Sequence, residues 1–335
     1  MQRFIKYVQE NIRKQIDKFI LLGDLKLRIV SDVLDFKVLD YFDKTIVTPY
    51  EKQFVDFELW CIADENFTQQ DVSLYSENTY RSNSFLDGYY ATDHFGEPAC
   101  FLRNGNTYFL FAKNFECIVW PYFIKYFLML NTINNNSLHI KSAAVRWKDY
   151  ATLLVGRGGA GKTFFLIQLC QAGADFITNS HAIIKDGKVT GVLSSMRLRP
   201  NDSLCYNFLE HIDKATAIKH NELIVNPCDI FDVVKNDRTK IKNIFFLNYE
   251  AKSHKIEKMN SKEAYNYAEQ FSLGINVYRL EEDLLDFYRG NYRKFSMFYG
   301  RMKEQLLSLI EKSNCYFISS DITVDKNRKD ILEIL

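Results

Sequence analysis

The residues best suited to chemistry in this chain are eight in a row: Gly156, Arg157, Gly158, Gly159, Ala160, Gly161, Lys162 and Thr163. They satisfy the pattern G-x-x-x-x-G-K-[ST] in full. Glycine lets a backbone wrap closely around a polyanion and visit conformations that a side chain forbids. The exposed N–H groups and the start of a following helix concentrate positive potential there. A lysine at this place neutralises β- and γ-phosphates, and a threonine hydroxyl suits Mg²⁺. The competing reading is a glycine-rich turn that matches by chance, which average usage allows in roughly one chain in a hundred. Context weighs against it: the apolar strand Ala151–Val155 enters the loop and a helix, Thr163–Gln171, leaves it. The pattern therefore implies a nucleoside triphosphate as ligand, ATP with Mg²⁺.

Phosphoryl transfer needs further groups. In P-loop enzymes a neighbouring strand ending in aspartate contacts the metal, and a carboxylate activates the acceptor. Here the next strand starts at Asp175 and ends in Asn179, Ser180 and His181. Asn179 can offer a neutral oxygen to Mg²⁺ or its water, and Ser180 only a hydroxyl. His181 could serve as general base; the alternative is a polar residue that merely ends a strand. Asp175 lies about 13 Å back along the strand, at the wrong end. Asp186 and Asp202 are loop residues. Arg197 and Arg199 alternate on a strand and point the same way, toward phosphate or toward surface ion pairs. Arg157 covers the nucleotide or contacts the acceptor, unless it is a solvated loop tip.

The elements that must hold these residues can be sketched from periodicity. Residues 3–21 carry Ile5, Val8, Ile12, Ile16 and Phe19 at helical spacing. Lys26–Val30 alternates like a strand, Ser31 can cap a helix over Asp32–Phe42, and Phe54–Ala63 alternates again. The stretch 64–95 is polar and turn-rich. Arg103–Asn106 predicts a hairpin turn into a strand at Thr107–Ala112, and Trp120–Leu130 reads as helix. Strands follow at His139–Val145, Ala151–Val155 and 175–181, with Asp186-Gly187 as a tight turn. Beyond them come a strand at Ile244–Asn248, helices at Ser261–Phe271 and Glu281–Ile310, a strand at Cys315–Ser319 and a closing helix. The expected fold class is α/β, a mixed-sheet P-loop nucleotide-binding domain over 113–335, with a smaller α+β recognition domain over 1–112.

On these motifs the chain resembles the HPr kinase/phosphorylase group and, more distantly, the PEP carboxykinases. The resemblance covers roughly residues 100–205. It rests on the strand Lys141-Ser-Ala-Ala-Val145 about a dozen residues before the loop, the loop with its short helix ending in Gly173, and the strand directly after that glycine. Ser195-Met-Arg197-Leu-Arg199-Pro200 is similar to a strand that brings basic side chains toward the site. The family's paired aspartates fall on Asn179 and Ser180, and a family histidine falls on Lys141, with His139 two residues earlier on the same face. The resemblance implies a kinase that moves the γ-phosphoryl group of ATP to a hydroxyl or carboxylate on a peptide, small protein or small molecule, as in peptide-tailoring pathways. Lys162, Asn179, Ser180 and His181 stand at the catalytic positions, and Thr163 and Asn179 at the metal positions.

Composition bounds the remaining classes. The 335 residues carry a net charge of +1, so nothing announces nucleic acid or an anionic membrane as partner. The basic, aromatic stretch Glu281–Lys312 reads as a helix with an aromatic core face, in preference to a base-stacking surface. Seven scattered cysteines without a Cys-x-x-Cys pair suggest reduced thiols and a cytoplasmic setting. The greasiest run, Ile118–Leu130, is too short to span a bilayer. A homo-oligomer is compatible with this composition. Besides a kinase, two other functions fit: a binding module that holds ATP without turnover, motivated by the missing acids, and a partner-stimulated NTPase.

Overall fold

The computed structural model describes residues 2–42, 47–48, 54–63, 77–78, 83–84, 90–92, 99–198, 217–219, 222–234, 237–249 and 253–335. They form two compact units, Met1–Phe127 and Leu128–Leu335.

In the first unit, helix α1 (Gln2–Asn11) precedes the hairpin of β1 (Ile16–Leu22) and β2 (Leu25–Ser31). The expected helix over 3–21 thus stops early. Ile16 and Phe19 satisfy helical spacing, but pairing from Ile16↔Ser31 to Leu22↔Leu25 places both in a sheet and buries Phe19, so tertiary pairing overrides local period. The expected helix over Asp32–Phe42 shrinks to a 3₁₀ turn at Lys37–Tyr41. The Ser31 hydroxyl there accepts from the Val33 N–H at 3.1 Å, closing a turn instead of capping a helix. Strands β3 (Val47–Thr48), β4 (Phe57–Ala63), β5 (Glu77–Asn78), β6 (Asn83–Ser84), β7 (Tyr90–Thr92), β8 (Ala99–Asn104) and β9 (Thr107–Ala112) complete one sheet, in the order β3-β1-β2-β4-β9-β8-β7-β6-β5. Most of the polar stretch 64–95 lies outside the described residues. The hairpin at Arg103–Asn106 forms, with Gly105 at φ 59°. Arg28 joins three strands by ion pairs to Asp17 (2.8 Å) and Glu58 (2.9 Å).

The unit runs on past residue 112 because the next segment belongs to its aromatic core. Phe57 stacks on Phe127 at 4.9 Å, and Tyr108 meets Phe123 edge-on at 6.1 Å. Helix α2 (Lys125–Asn134) carries the boundary.

The second unit holds β10 (Leu138–Lys141), β11 (Ala143–Trp147), β12 (Tyr150–Val155), helix α3 (Lys162–Gln171), β13 (Asp175–Thr178), β14 (His181–Lys185), β15 (Lys188–Gly191), β16 (Met196–Leu198), β17 (Ala217–Lys219), β18 (Glu222–Val225), β19 (Thr239–Leu247) and β20 (His254–Lys258). Helices α4 (Ser261–Phe271), α5 (Gly274–Val277), α6 (Glu281–Phe287) and α7 (Tyr292–Glu311) follow, then β21 (Asn314–Ser320) and α8 (Asp325–Glu333). Strand β12 lies between antiparallel β11 and parallel β19, with β13 outside β11 and β21 outside β19. Strands β10, β14 and β15 attach through β15 to the start of β19, and β16-β18-β17 form a separate small sheet. Helices and mixed parallel and antiparallel strands together make the class mixed α/β.

Two further expectations change in detail. The strand expected over His139–Val145 breaks at Ser142, because β10 pairs with β14 whereas β11 pairs with β12 and β13. The long helix over Glu281–Ile310 divides where Arg289 and Gly290 adopt φ 54° and 70°, and Asn291 caps α7 by accepting from the Lys294 N–H at 3.1 Å.

The turn Asp186-Gly187 (φ 52° and 71°) returns β15 past β13. A Cβ placed on Gly191 would stand 2.0 Å from the Ile177 carbonyl oxygen, so only glycine fits this crossing. The obstacle is backbone, which cannot swing aside. Gly191→Ala should destabilise the protein by roughly 3 kcal/mol; denaturant unfolding of the variant beside wild type checks this, and an unchanged midpoint would contradict it.

Candidate functional site

The loop 156–161 connects β12 to α3. Gly159 and Gly161 hold φ of 80° and 84°, the left-handed region that glycine enters without strain. Two other contacts exclude side chains. A Cβ on Gly161 would lie 2.6 Å from the Tyr249 Cβ, and one on Gly156 would lie 2.9 Å from the Leu247 carbonyl oxygen. The Tyr249 N–H donates to the Ala160 carbonyl at 3.2 Å, so the loop is fastened to the residues that follow β19. Phe164 meets the Tyr249 ring edge-on at 5.3 Å.

Helix α3 follows Gly161 as its N-cap, which has no side chain to cap the first N–H groups, and carries no acid in its first turn. Those donors sit at the positive end of the helix dipole, a ready anion cradle. Arg157, Gly158 and Gly159 are exposed, Ala160 is buried, and Gly161, Lys162 and Thr163 are half-buried. The Lys162 ammonium folds onto the loop's own carbonyls, donating to Gly156 O (2.6 Å) and Arg157 O (2.8 Å). Burial and then the charge of Lys141 lower its pKa from 10.5 to about 8. The Lys141 pKa is itself lowered by burial. The charge of Lys141, at the end of β10, thus acts on Lys162 at the start of α3.

The strand ends collect around this loop. Ala143 pairs with Leu154 and Ala144 with Thr178, so Ser142, Val155 and Asn179 share one edge of the sheet. The Ser142 N–H donates to the Ser180 carbonyl at 3.1 Å. Val155 pairs with Phe246, which brings Asn248 and Tyr249 to the same edge. Asn179 is held by its side chain: its Oδ1 accepts from the Ser194 hydroxyl (3.0 Å) and its Nδ2 donates to Ser195 O (3.4 Å). The Thr178 hydroxyl donates to Val192 O at 2.9 Å and accepts from the Ser180 and His181 N–H groups at 3.4 and 3.3 Å.

His181 is 2% exposed and lies opposite Lys141 in the β10/β14 register. Its Nδ1 is 3.0 Å from His139 Nε2 and 3.2 Å from the Tyr278 hydroxyl. The ring is thus buried and engaged on one side by both neighbours. Burial raises the Tyr278 pKa well above its ordinary value.

Other sequence-derived candidates lie elsewhere. Asp175 is taken by Arg146 in an ion pair of 2.7 Å. Arg197 is exposed on β16, in the separate small sheet, directly after the Ser194–Ser195 segment that holds Asn179. Arg199 and Asp202 lie outside the described residues. Three residues beside the loop carry little signal in the sequence: Lys141 stands where the resembling family has a histidine, Tyr249 directly follows an apolar strand, and Tyr278 has no local pattern around it. Among the described residues no group of three or more His, Cys, Asp and Glu could hold a metal ion. Of the two residues expected to meet Mg²⁺, Thr163 is half-buried in the first turn of α3 and Asn179 has its Oδ1 accepting from Ser194.

No family model and no curated protein matches this chain. No helix of the described residues is long and apolar enough to cross a membrane.

A pH dependence follows from Lys162. In the free protein it is charged below pH 8 and loses its proton above; a bound polyanion raises its pKa back up. Affinity for tripolyphosphate should therefore be level below pH 8 and fall above it. Calorimetry near pH 8.5, in buffers of different ionisation enthalpy, should detect proton uptake on binding. Affinity that is flat from pH 7 to 9.5 would contradict this.

Proposed function

We propose that this chain binds Mg·ATP at Gly156–Thr163 and transfers its γ-phosphoryl group to a hydroxyl or carboxylate on a peptide, small protein or small molecule. The observation that carries the reading is the uncapped start of α3 beside Lys162, inside a loop whose glycines leave room for phosphate. Gly158, Gly159, Ala160 and Gly161 supply backbone donors, and Lys162 would swing from Gly156 O and Arg157 O onto the phosphates. Thr163 and Asn179 would hold Mg²⁺, which screens the charge of the triphosphate. Ser180 stands at the same sheet edge, within the segment that an acceptor would approach. Transfer of this kind depends mainly on positioning and charge neutralisation, so loss of a carboxylate base does not abolish it. His181 is assigned to fixing the Tyr278 wall and not to taking the acceptor's proton, because its Nδ1 is shared between His139 and Tyr278.

A second reading has its own support. Asn179 is neutral and tied to Ser194 and Ser195, an arrangement that serves an ATP-binding partner protein without turnover equally well.

Two measurements separate these readings. Lys162→Ala should weaken Mg·ATP binding by about tenfold or more, the loss of one charge-assisted contact; equal affinity in the variant would sink the ATP-site assignment. Incubation of wild type with Mg·[γ-³²P]ATP and candidate acceptors should label one of them. Labelling only by the Asn179→Asp, Ser180→Asp double variant would favour the binding-only reading.

A further inference from the structure

We propose that Lys141 is a second phosphate-binding cation, dedicated to the outermost phosphate of a bound triphosphate, with Tyr278 as its positioning residue. This rests on the reading of Gly156–Thr163 as an ATP site.

Lys141 is the last residue of β10, and Ala143, two residues on, pairs with Leu154 at the end of the strand that enters the loop. Its charge is near enough to Lys162 for the two to repel. The two lysines come from different elements, Lys162 from the start of α3 and Lys141 from a strand. The loop's N–H groups cradle the inner phosphates, and a cation rooted on the strand edge beside the loop is therefore assigned to the outer end of the chain. An anion between the two ammonium groups relieves a repulsion that burial strengthens.

Lys141 is also held more firmly than a strand-end lysine in water. Its N–H donates to Ser272 O at 2.7 Å, and Ile140 bridges to Leu273. The side chain is half-buried, with its ammonium 5.7 Å from the centre of the Tyr278 ring. That ring is fixed in turn: its hydroxyl lies 3.2 Å from His181 Nδ1, and His181 is 3.0 Å from His139 Nε2. Gly274 packs so tightly on His139 that a Cβ there would be 2.9 Å from both its Nδ1 and its carbonyl oxygen. The segment from Ser272 to Tyr278 therefore backs the lysine with a rigid aromatic wall.

The test compares Mg·ATP with Mg·ADP by calorimetric titration of the intact protein. Wild type should prefer ATP. Lys141→Met should lower ATP affinity by about tenfold to a hundredfold, the value of a hydrogen bond to a charged group, and change ADP affinity less than about twofold. Lys141→Arg should keep the preference, and Tyr278→Leu should reduce it without altering ADP binding. Tripolyphosphate against pyrophosphate should repeat the pattern with bare probes. Circular dichroism melts identify a variant that has lost its fold; in that case Lys141→Gln takes the place of Lys141→Met. Equal weakening of ATP and ADP, or no change in either, overturns the assignment of Lys141 while leaving the ATP site intact. Wild type that binds neither nucleotide overturns the ATP site itself, and Lys141's role with it.

Discussion

Clearance between two stretches of backbone governs this site. The loop after β12 lies against Leu247 and Tyr249 so closely that a methyl group on Gly156 or Gly161 would collide with them. Because β12 and β19 are parallel neighbours, their ends arrive together, and the loop has to turn within the space they leave. The left-handed conformations at Gly159 and Gly161 turn the chain over that ledge and into α3. Once the turn is made, Gly161 at the N-cap offers no side chain to the first N–H groups of the helix, which open toward the loop. The donors, the lysine and the threonine follow from how tightly the chain can pass Tyr249.

Charge is arranged in the opposite spirit to the backbone. Packing there is satisfied, whereas the two lysines are partly out of water and repel one another, with the loop's own carbonyls as partners of Lys162. The neighbouring strand end contributes an amide and a hydroxyl, Asn179 and Ser180, where aspartates would have balanced the lysines. The edge beside the loop is therefore electropositive, and the neutral Asn179 is kept in place by Ser194 and Ser195.

The sequence disclosed what is local. Gly156–Thr163, the strand before it and the helix after it are adjacent in the chain, and their chemistry is written in residue types. Ser261–Phe271 and the Asp186-Gly187 turn were readable for the same reason. The N-terminal segment misled because Ile16 and Phe19 fit a helical period and a strand equally well, and only the partner β2 decides between them. Sequence spacing could not announce Tyr278: it reaches His181 from far along the chain, through a platform built by α4 and α5. The break at Ser142 was hidden for a similar reason, since both halves are strand-like and differ only in their neighbours.

That break has an evolutionary consequence. Lys141 ends a strand whose ladder is made by main-chain groups, and its neighbour Ser142 passes the chain to a different set of partners. Those bonds do not depend on which side chain position 141 carries. Exchange of that one residue can reset the charge beside the loop while every hydrogen bond of the scaffold remains. The glycine loop is fixed by its contact with Tyr249, whereas no main-chain bond of β10 dictates the residue type at position 141. An exchange at that strand end costs the packing of one half-buried side chain against Tyr278 and leaves the ladder untouched.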